Sequence, residues 1–290
     1  CIRDRTYRLL SFDELWKKSG FDESEHMFSV RTRSADEEYG NGVHQWYCGM
    51  QDAGGVLQKG PWVGNRFHWY CLFDNEDYRI TKGVKHRFQY DSQVKNGRGY
   101  YYPGTPEYKL MATGKNMDDV KVQEPVAPFN DGLTYTNSIS SNCLAFTTKY
   151  ADVTDPTIGR TDAYWPFLRY ADIVLIYAEA QCELNDGISQ DAIDALNDIR
   201  IRSNAKEASV TGDGAIETKV ELRSVIFEER AKELAYEGDR RWDLLRWGIY
   251  LDVMNSLGGI NEDGTRTPYD EGSINTVSYT HLRAHETLSD

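Results

Sequence analysis

The sequence predicts a mainly α protein in which helical hairpins support a loop-rich, ligand-facing region with a few short strands. Three observations predict it. Residues 161–258 carry helical periodicity between clear start and stop signals. Residues 1–160 are rich in Gly, Asn, Asp and Tyr, in short aromatic runs broken by turn signals such as "AGG", "KNG" and "YPGTP". A hydrophobic share of 40% over 290 residues is enough to fill a core beneath such loops.

The elements follow in chain order. "DELWKKSG" predicts a short helix closed at Gly20. "RFHWYCLF" alternates Phe67, Trp69, Cys71 and Phe73, the pattern of a half-buried strand that would take Trp69 into the core. "WPFLRYADIVLIYAEAQCELNDG" predicts an amphipathic helix from Trp165, with Phe167, Ala171, Val174, Tyr177 and Ala178 on one stripe and a stop near Gly187. "SQDAIDALNDIRIRSNA" starts at a Ser189 cap and turns Ile193, Leu196 and Ile199 inward. The short link between these two helices predicts an antiparallel hairpin.

"TKVELRSVIFEERAKELAYEG" opens with a capping box, Thr218 to Glu221, and stops at Gly238. Asp239 then caps "RRWDLLRWGIYLDVMNSLG", read as one helix with Trp242, Leu245, Ile249 and Val253 inward. Trp165 and Thr218 lie more than 50 residues apart, longer than the ~34 of a tetratricopeptide unit, so any repeat is degenerate.

Glu229, Glu233 and Glu237 share one helix face, where like charges repel. The returning helix offers partners: Arg241 for Glu237, and Arg240 or Arg246 for Glu229 or Glu233, with Arg246 stacked on Trp242. The expectation is an ion-pair network that locks two helices in register. A pair of glycosidase carboxylates is the alternative, and the long helix faces with basic neighbours argue against it.

A net charge of −13 argues against a nucleic-acid backbone or an anionic membrane surface as partner. No stretch approaches the ~20 apolar residues of a membrane helix. The five cysteines form no CxxC pair and no disulfide framework. Cys1 reads either as the lipid-bearing residue of a bacterial lipoprotein or as an internal position. Because "CIRDRTYRLLSF" runs straight into apparent structure, the internal reading is preferred.

Three segments, "YWPFLRYADIVLIYAEAQCELND" (Tyr164 to Asp186), "AIDALNDIRIRSN" (Ala192 to Asn204) and "VIFEERAKELAYEGDRRWDLLRWG" (Val225 to Gly248), resemble in order and texture the C-terminal half of the SusD/RagB family. "SEHMFSVR", "CLFDNEDYRI" and "FTTKYAD" add support upstream, and the resemblance covers residues 1–276. It implies tetratricopeptide-like helix pairs under a loop-rich ligand face, with residues 1–160 facing ligand and 161–258 as scaffold. It also implies a non-catalytic surface lipoprotein of the outer membrane of Bacteroidota. Such a protein captures oligosaccharide and passes it to a SusC-like TonB-dependent transporter.

On the same resemblance, the signal peptide, lipid anchor and first helix pairs lie outside this chain. "VSYTHLRAHETLSD" (Val277 to Asp290) resembles translated sequencing-adapter read-through, as expected of a metagenomic fragment, so no metal is assigned to His281 and His285. "NEDGTRTPYDEG" lacks EF-hand spacing and reads as a solvated loop.

A sugar offers flat C–H faces ringed by hydroxyls, so its site needs exposed aromatic planes and a few fixed polar groups. The candidates are Trp46, Tyr47, Trp62, Tyr101 and Tyr102, with Asn65 and Arg66, and Gln45 beside them. Trp46 follows "YGNG" and Trp62 lies in "KGPWVGN", loop contexts that favour exposure. Of the triplet Tyr100, Tyr101 and Tyr102, one ring is expected to point inward. Nothing calls for a cofactor: there is no GxGxxG, Walker loop, HExxH or GxSxG.

Overall fold

A computed structural model describes residues 7–20, 25–33, 40–52, 54–64, 69, 72–74, 76–101, 110–112, 120–122, 132–137 and 145–256. The described residues within Cys1–Lys109, Glu124–Ile173 and Ile199–Lys206 form one compact unit. Those within Leu110–Gln123, Val174–Asp198 and Glu207–Asp290 form a second.

The first half of the chain is a run of short elements. Its helices are α1 (Phe12–Leu15), α2 (Val43–Tyr47), α3 (Tyr78–Thr81) and α4 (Asp91–Val94). Its strands are β1 (His26–Val30), β2 (Met50–Gln51), β3 (Leu57–Lys59), β4 (Val84–Lys85), β5 (Arg87–Phe88), β6 (Arg98–Tyr101), β7 (Leu110–Ala112), β8 (Val120–Val122), β9 (Thr134–Asn137) and β10 (Phe146–Thr147). They pair into small sheets: β2 with β3, β4 with β10, β7 with β8, and β5–β6–β9 with β6 and β9 parallel. After β11 (Trp165–Arg169) the chain is helical: α5 (Tyr170–Leu184), α6 (Gln190–Arg202), α7 (Lys219–Glu233), α8 (Arg240–Arg246) and α9 (Tyr250–Ser256).

In the first unit, β1 pairs antiparallel with β11. A helix from Trp165 is therefore not what forms. Trp165 precedes Pro166, whose ring disfavours helical backbone at the residue before it, and the residues that follow pair with β1, so the helix starts only at Tyr170. Phe167 consequently lies on a strand and is exposed.

Under this ribbon sits a buried charge centre. The Glu25 carboxylate accepts from the Leu10 amide at 2.6 Å, from Arg169 at 2.6 Å and from Arg202 at 3.2 Å. The Arg169 guanidinium also lies 5.2 Å from the Trp16 ring. A carboxylate with no contact to water is tolerated only with such partners. Two apolar clusters complete the unit. Leu57, Phe88 and Phe146 pack with Tyr90 and Tyr100, and Ile80, Val84 and Ala145 pack with Trp69 and Phe73. Trp69 packs inward as expected, but its backbone is helical and not the strand expected, and most of "RFHWYCLF" lies outside the described residues.

The helical half of the chain rests on helix signals that the structure reproduces. Thr218 and Glu221 form the reciprocal capping box of α7. Ser189 Oγ accepts from the Ala192 amide at the start of α6, whose Ile193, Leu196 and Ile199 are buried. Ala171, Val174 and Ala178 of α5 are buried as well. Gly238 takes φ 100° after α7, in the turn that leads into α8. Asp239 occupies the cap position of α8, but its side chain makes no capping bond.

The last segment departs from the single helix expected. Gly248 adopts φ 74°, which ends α8 and starts a separate α9. The apolar stripe of α8 also differs from the one expected. Leu244, Trp247 and Val253 are buried against Phe227, Ile249 and Tyr250, whereas Trp242 is 68% exposed and Leu245 also faces water.

The charge network is present with different pairings. Glu229, Glu233 and Glu237 are buried, and none lacks a partner. Arg246 does not reach Glu229 or Glu233. It binds Asp243 of its own helix at 3.0 Å and Glu179 of α5 at 2.6 Å. Arg230 of α7 binds Asp243 at 2.8 Å, and Arg240 donates to the Phe227 carbonyl at 3.2 Å. Burial pulls the Arg240 guanidinium down to about 10. The Trp247 ring, not Trp242, receives Arg246 at 4.7 Å, and it stacks on Phe227 at 3.5 Å. Burial raises the Glu179 pKa, but bonds from Arg246 and Trp247 outweigh it and hold the carboxyl below its usual range.

Candidate functional site

The site is built around α2 and the loop that follows β3. At the entrance to α2, Asn41 exchanges two backbone hydrogen bonds with Thr161, at 3.0 and 2.8 Å. Its amide nitrogen donates to Thr32 Oγ1 at 2.9 Å and to the Ala163 carbonyl at 2.6 Å, and its side-chain oxygen accepts from the Val43 amide at 2.9 Å. Val43 and His44 then face inward, with His44 Nδ1 2.9 Å from the Tyr150 carbonyl. Burial lowers the His44 pKa, so that ring is neutral near pH 7. Trp46, on the flank of the same short helix, is 45% exposed.

The second ring is tied to the first through the backbone. The amides of Trp62 and Val63 both donate to the Trp46 carbonyl at 2.9 Å. Trp62 stands 75% exposed, and Val63 is exposed beside it. This crossing depends on Gly49, which takes φ 75°. A side chain there would meet the Lys59 carbonyl at 2.6 Å and the Pro61 nitrogen at 3.1 Å. A third segment closes against α2. The Gln51 amide donates to the Pro156 carbonyl at 2.9 Å, and Gly159 lies against the Gln45 carboxamide, next to the exposed Ile158.

The outcome is an outward apolar surface of Trp46, Trp62 and Val63, held by hydrogen bonds beneath and edged by Gln45. Chemically it offers flat, electron-rich faces and carries no nucleophile or acid–base pair. It suits stacking against an apolar face of a polar ligand. Burial sets its neighbours apart from any reactive role: the Cys48 thiol is pushed up to about 12 and donates to the Thr147 carbonyl. Among the described residues, no three His, Cys, Asp or Glu side chains come together to hold a metal ion.

The other candidates take different places. Tyr47 is half-buried, its ring 5.4 Å from Tyr150 and 6.0 Å from Trp165, and burial raises its pKa. Tyr100 points inward, its ring packed 5.7 Å from Phe88. Tyr101 pairs along the backbone with Arg87 and Asn137. Tyr102, Asn65 and Arg66 lie outside the described residues, as do "NEDGTRTPYDEG", His281 and His285.

Sequence reasoning missed the supports: Asn41, Gly49 and the Pro156–Gly159 turn. Of these only Asn41, in "GNG" ahead of an apolar residue, carried a local signal. It also missed Phe28 and Phe167, an exposed pair 5.7 Å apart on the β1–β11 ribbon. The acids Glu229, Glu233 and Glu237, weighed above as a glycosidase pair, are buried in helix packing where no sugar reaches.

Comparison with known proteins agrees with this architecture. The SusD family profile matches residues 51–287. SusD-like protein P38 of Formosa agariphila is 36% identical over 114 residues, covering 37% of this chain and 21% of the relative. SusD-like protein P25 of the same organism is 39% identical over 89 residues, covering 31% and 16%.

Among solved structures, a SusD homolog from Bacteroides thetaiotaomicron superposes with a TM-score of 0.57 at 20% identity, covering 95% of this chain and 52% of that one. Surface glycan-binding protein A from the same species, in complex with laminarihexaose, gives 0.53 at 18% identity, covering 94% and 53%. The chain thus spans about half the length of these solved relatives, and the matched segment about a fifth of the curated ones. The mainly helical, tetratricopeptide-like fold expected from the sequence is the fold found. With the profile matched over most of its length, the chain belongs to the SusD family.

Proposed function

We propose that this chain is the ligand-capturing part of a non-catalytic, cell-surface oligosaccharide-binding protein. The observation that carries the reading is the outward pair Trp46 and Trp62, joined through the Trp46 carbonyl on a hydrogen-bonded base. Two outward indoles on segments joined by backbone hydrogen bonds suit the C–H faces of sugar rings, which bury apolar area without requiring charge. The net charge of −13 fits a neutral ligand. Tyr47, Asn65, Arg66, Tyr101 and Tyr102 complete the proposed site as polar edges and further planes. Residues 1–160 present the ligand and residues 161–258 serve as scaffold.

Family membership extends the proposal to the cell. The protein sits on the outer membrane through a lipid anchor carried outside these residues and delivers its sugar to a SusC-like TonB-dependent transporter. The glycan hexamer seen on one relative of the same fold makes a β-glucan a sensible first ligand to try. Affinity electrophoresis over a panel of polysaccharides tests the reading. Retardation by at least one of them, abolished in a Trp46→Ala/Trp62→Ala variant, supports it, and the same retardation in that variant overturns it.

A further inference from the structure

The Trp46 indole is held on one side by a residue with no side chain. Gly42 stands at the cap position of α2, and a Cβ built there would lie 2.9 Å from Trp46 Cε2 and 3.1 Å from both Cζ2 and Nε1. One face of the indole therefore rests on the Gly42 backbone, and the ligand can take only the other. We propose that Gly42 is a positioning residue that sets the pose of the Trp46 platform, an inference that rests on the glycan-capture reading above.

Backbone conformation does not explain the glycine. Gly42 sits at φ −91°, ψ 6°, a region open to any L-residue. Nor can the backbone retreat from a new methyl group. Asn41, one residue before, is clamped by its two bonds to Thr161 and by its side chain to Thr32 and Ala163. Val43 and His44, just after, are buried, and Val43 is tied back to Asn41. The Trp46 backbone is fixed in turn, because its amide donates to the Gly42 carbonyl at 2.9 Å and its own carbonyl holds the Trp62 loop. Only the indole is left to move. A Cβ at 42 must rotate the ring off its seat while the fold around it stays in place.

Two readouts on Gly42→Ala test this. In protein labelled with 5-fluorotryptophan, the resonance that disappears in Trp46→Ala identifies Trp46. It moves in Gly42→Ala while those of the buried tryptophans Trp16 and Trp247 stay, and the unfolding midpoint is unchanged. In affinity electrophoresis, Gly42→Ala weakens retardation about tenfold, the loss of one well-placed aromatic contact. It adds nothing further when made in the Trp46→Ala background. An unmoved Trp46 resonance overturns the proposal. So does full retardation by Gly42→Ala where Trp46→Ala weakens it, or a loss that persists with Trp46 absent. If Trp46→Ala leaves retardation untouched, the glycan reading fails on its own and the fluorine resonance still decides the role of Gly42.

Discussion

Two tryptophan-bearing regions of this chain are put to opposite uses. Trp247 is buried, stacked on Phe227, donates its indole N–H to Glu179 at 3.0 Å and lies under Arg240 and Arg246. Trp62 keeps most of its surface in water and Trp46 nearly half, and what is fixed is the backbone beneath them. In the helical unit the ring itself is what the structure consumes. In the loop-rich unit the structure is consumed in presenting the ring. The difference teaches that a tryptophan is read from the partners of its polar edge and its backbone, and not from the residue type.

That contrast can be broken at several points. The largest effect is expected at Asp243, which is buried with Arg230 and also binds the partly exposed Arg246. Asp243→Ala removes the buried carboxylate that Arg230 binds and should cost roughly 3–5 kcal/mol in urea-monitored unfolding. Any loss of ligand should track only the loss of fold. Next comes Trp46→Ala, expected to weaken glycan retardation about tenfold to a hundredfold, on the scale of ~1.4 kcal/mol per decade, while moving the unfolding midpoint little.

Smaller is the acid dependence of the helical unit. The Glu179 pKa in the fold lies below its ordinary 4.5, so its stabilising contribution is present above that pH and disappears as the pH falls through the lower, folded value. Stability measured from pH 6 downward should therefore drop in that acid window, and Glu179→Gln should flatten the slope there. The smallest effect is expected at Trp242, which is largely exposed. Trp242→Ser should change stability by less than ~0.5 kcal/mol, whereas Trp247→Ala should cost ~3–5 kcal/mol.

The helical scaffold was legible because its signals are local. Thr218 with Glu221, Ser189, Gly238 and the stripe of Ile193, Leu196 and Ile199 each act within a turn or two of helix. What escaped reading was set at a distance or by one backbone angle. Pro166 turned a helical stripe into a strand because β1 was there to pair with it. Gly248 split one helix into two, and on the first of them Leu244 and Trp247 pack inward while Trp242 and Leu245 face water.

The arginine partners followed the same logic. Arg246 found Glu179, which lies 67 residues away and was not among the acids counted as its neighbours. At the candidate site, exposure of Trp46 and Trp62 was legible from the flanking Gly and Pro, although Trp46 stands on the short helix α2 and not in the loop expected. The hydrogen bonds joining them through the Trp46 carbonyl were not legible, because main-chain contacts between distant segments leave no mark in side-chain pattern.

The most direct test measures ligand and fold together in one variant. Trp46→Ala/Trp62→Ala and the unchanged chain are compared by affinity electrophoresis on the polysaccharide that retards the latter most, and by urea unfolding in the same buffer. The account predicts that retardation disappears while the unfolding midpoint stays where it was. Retained retardation, or a midpoint that falls along with binding, would contradict a surface whose rings serve the ligand and not the fold.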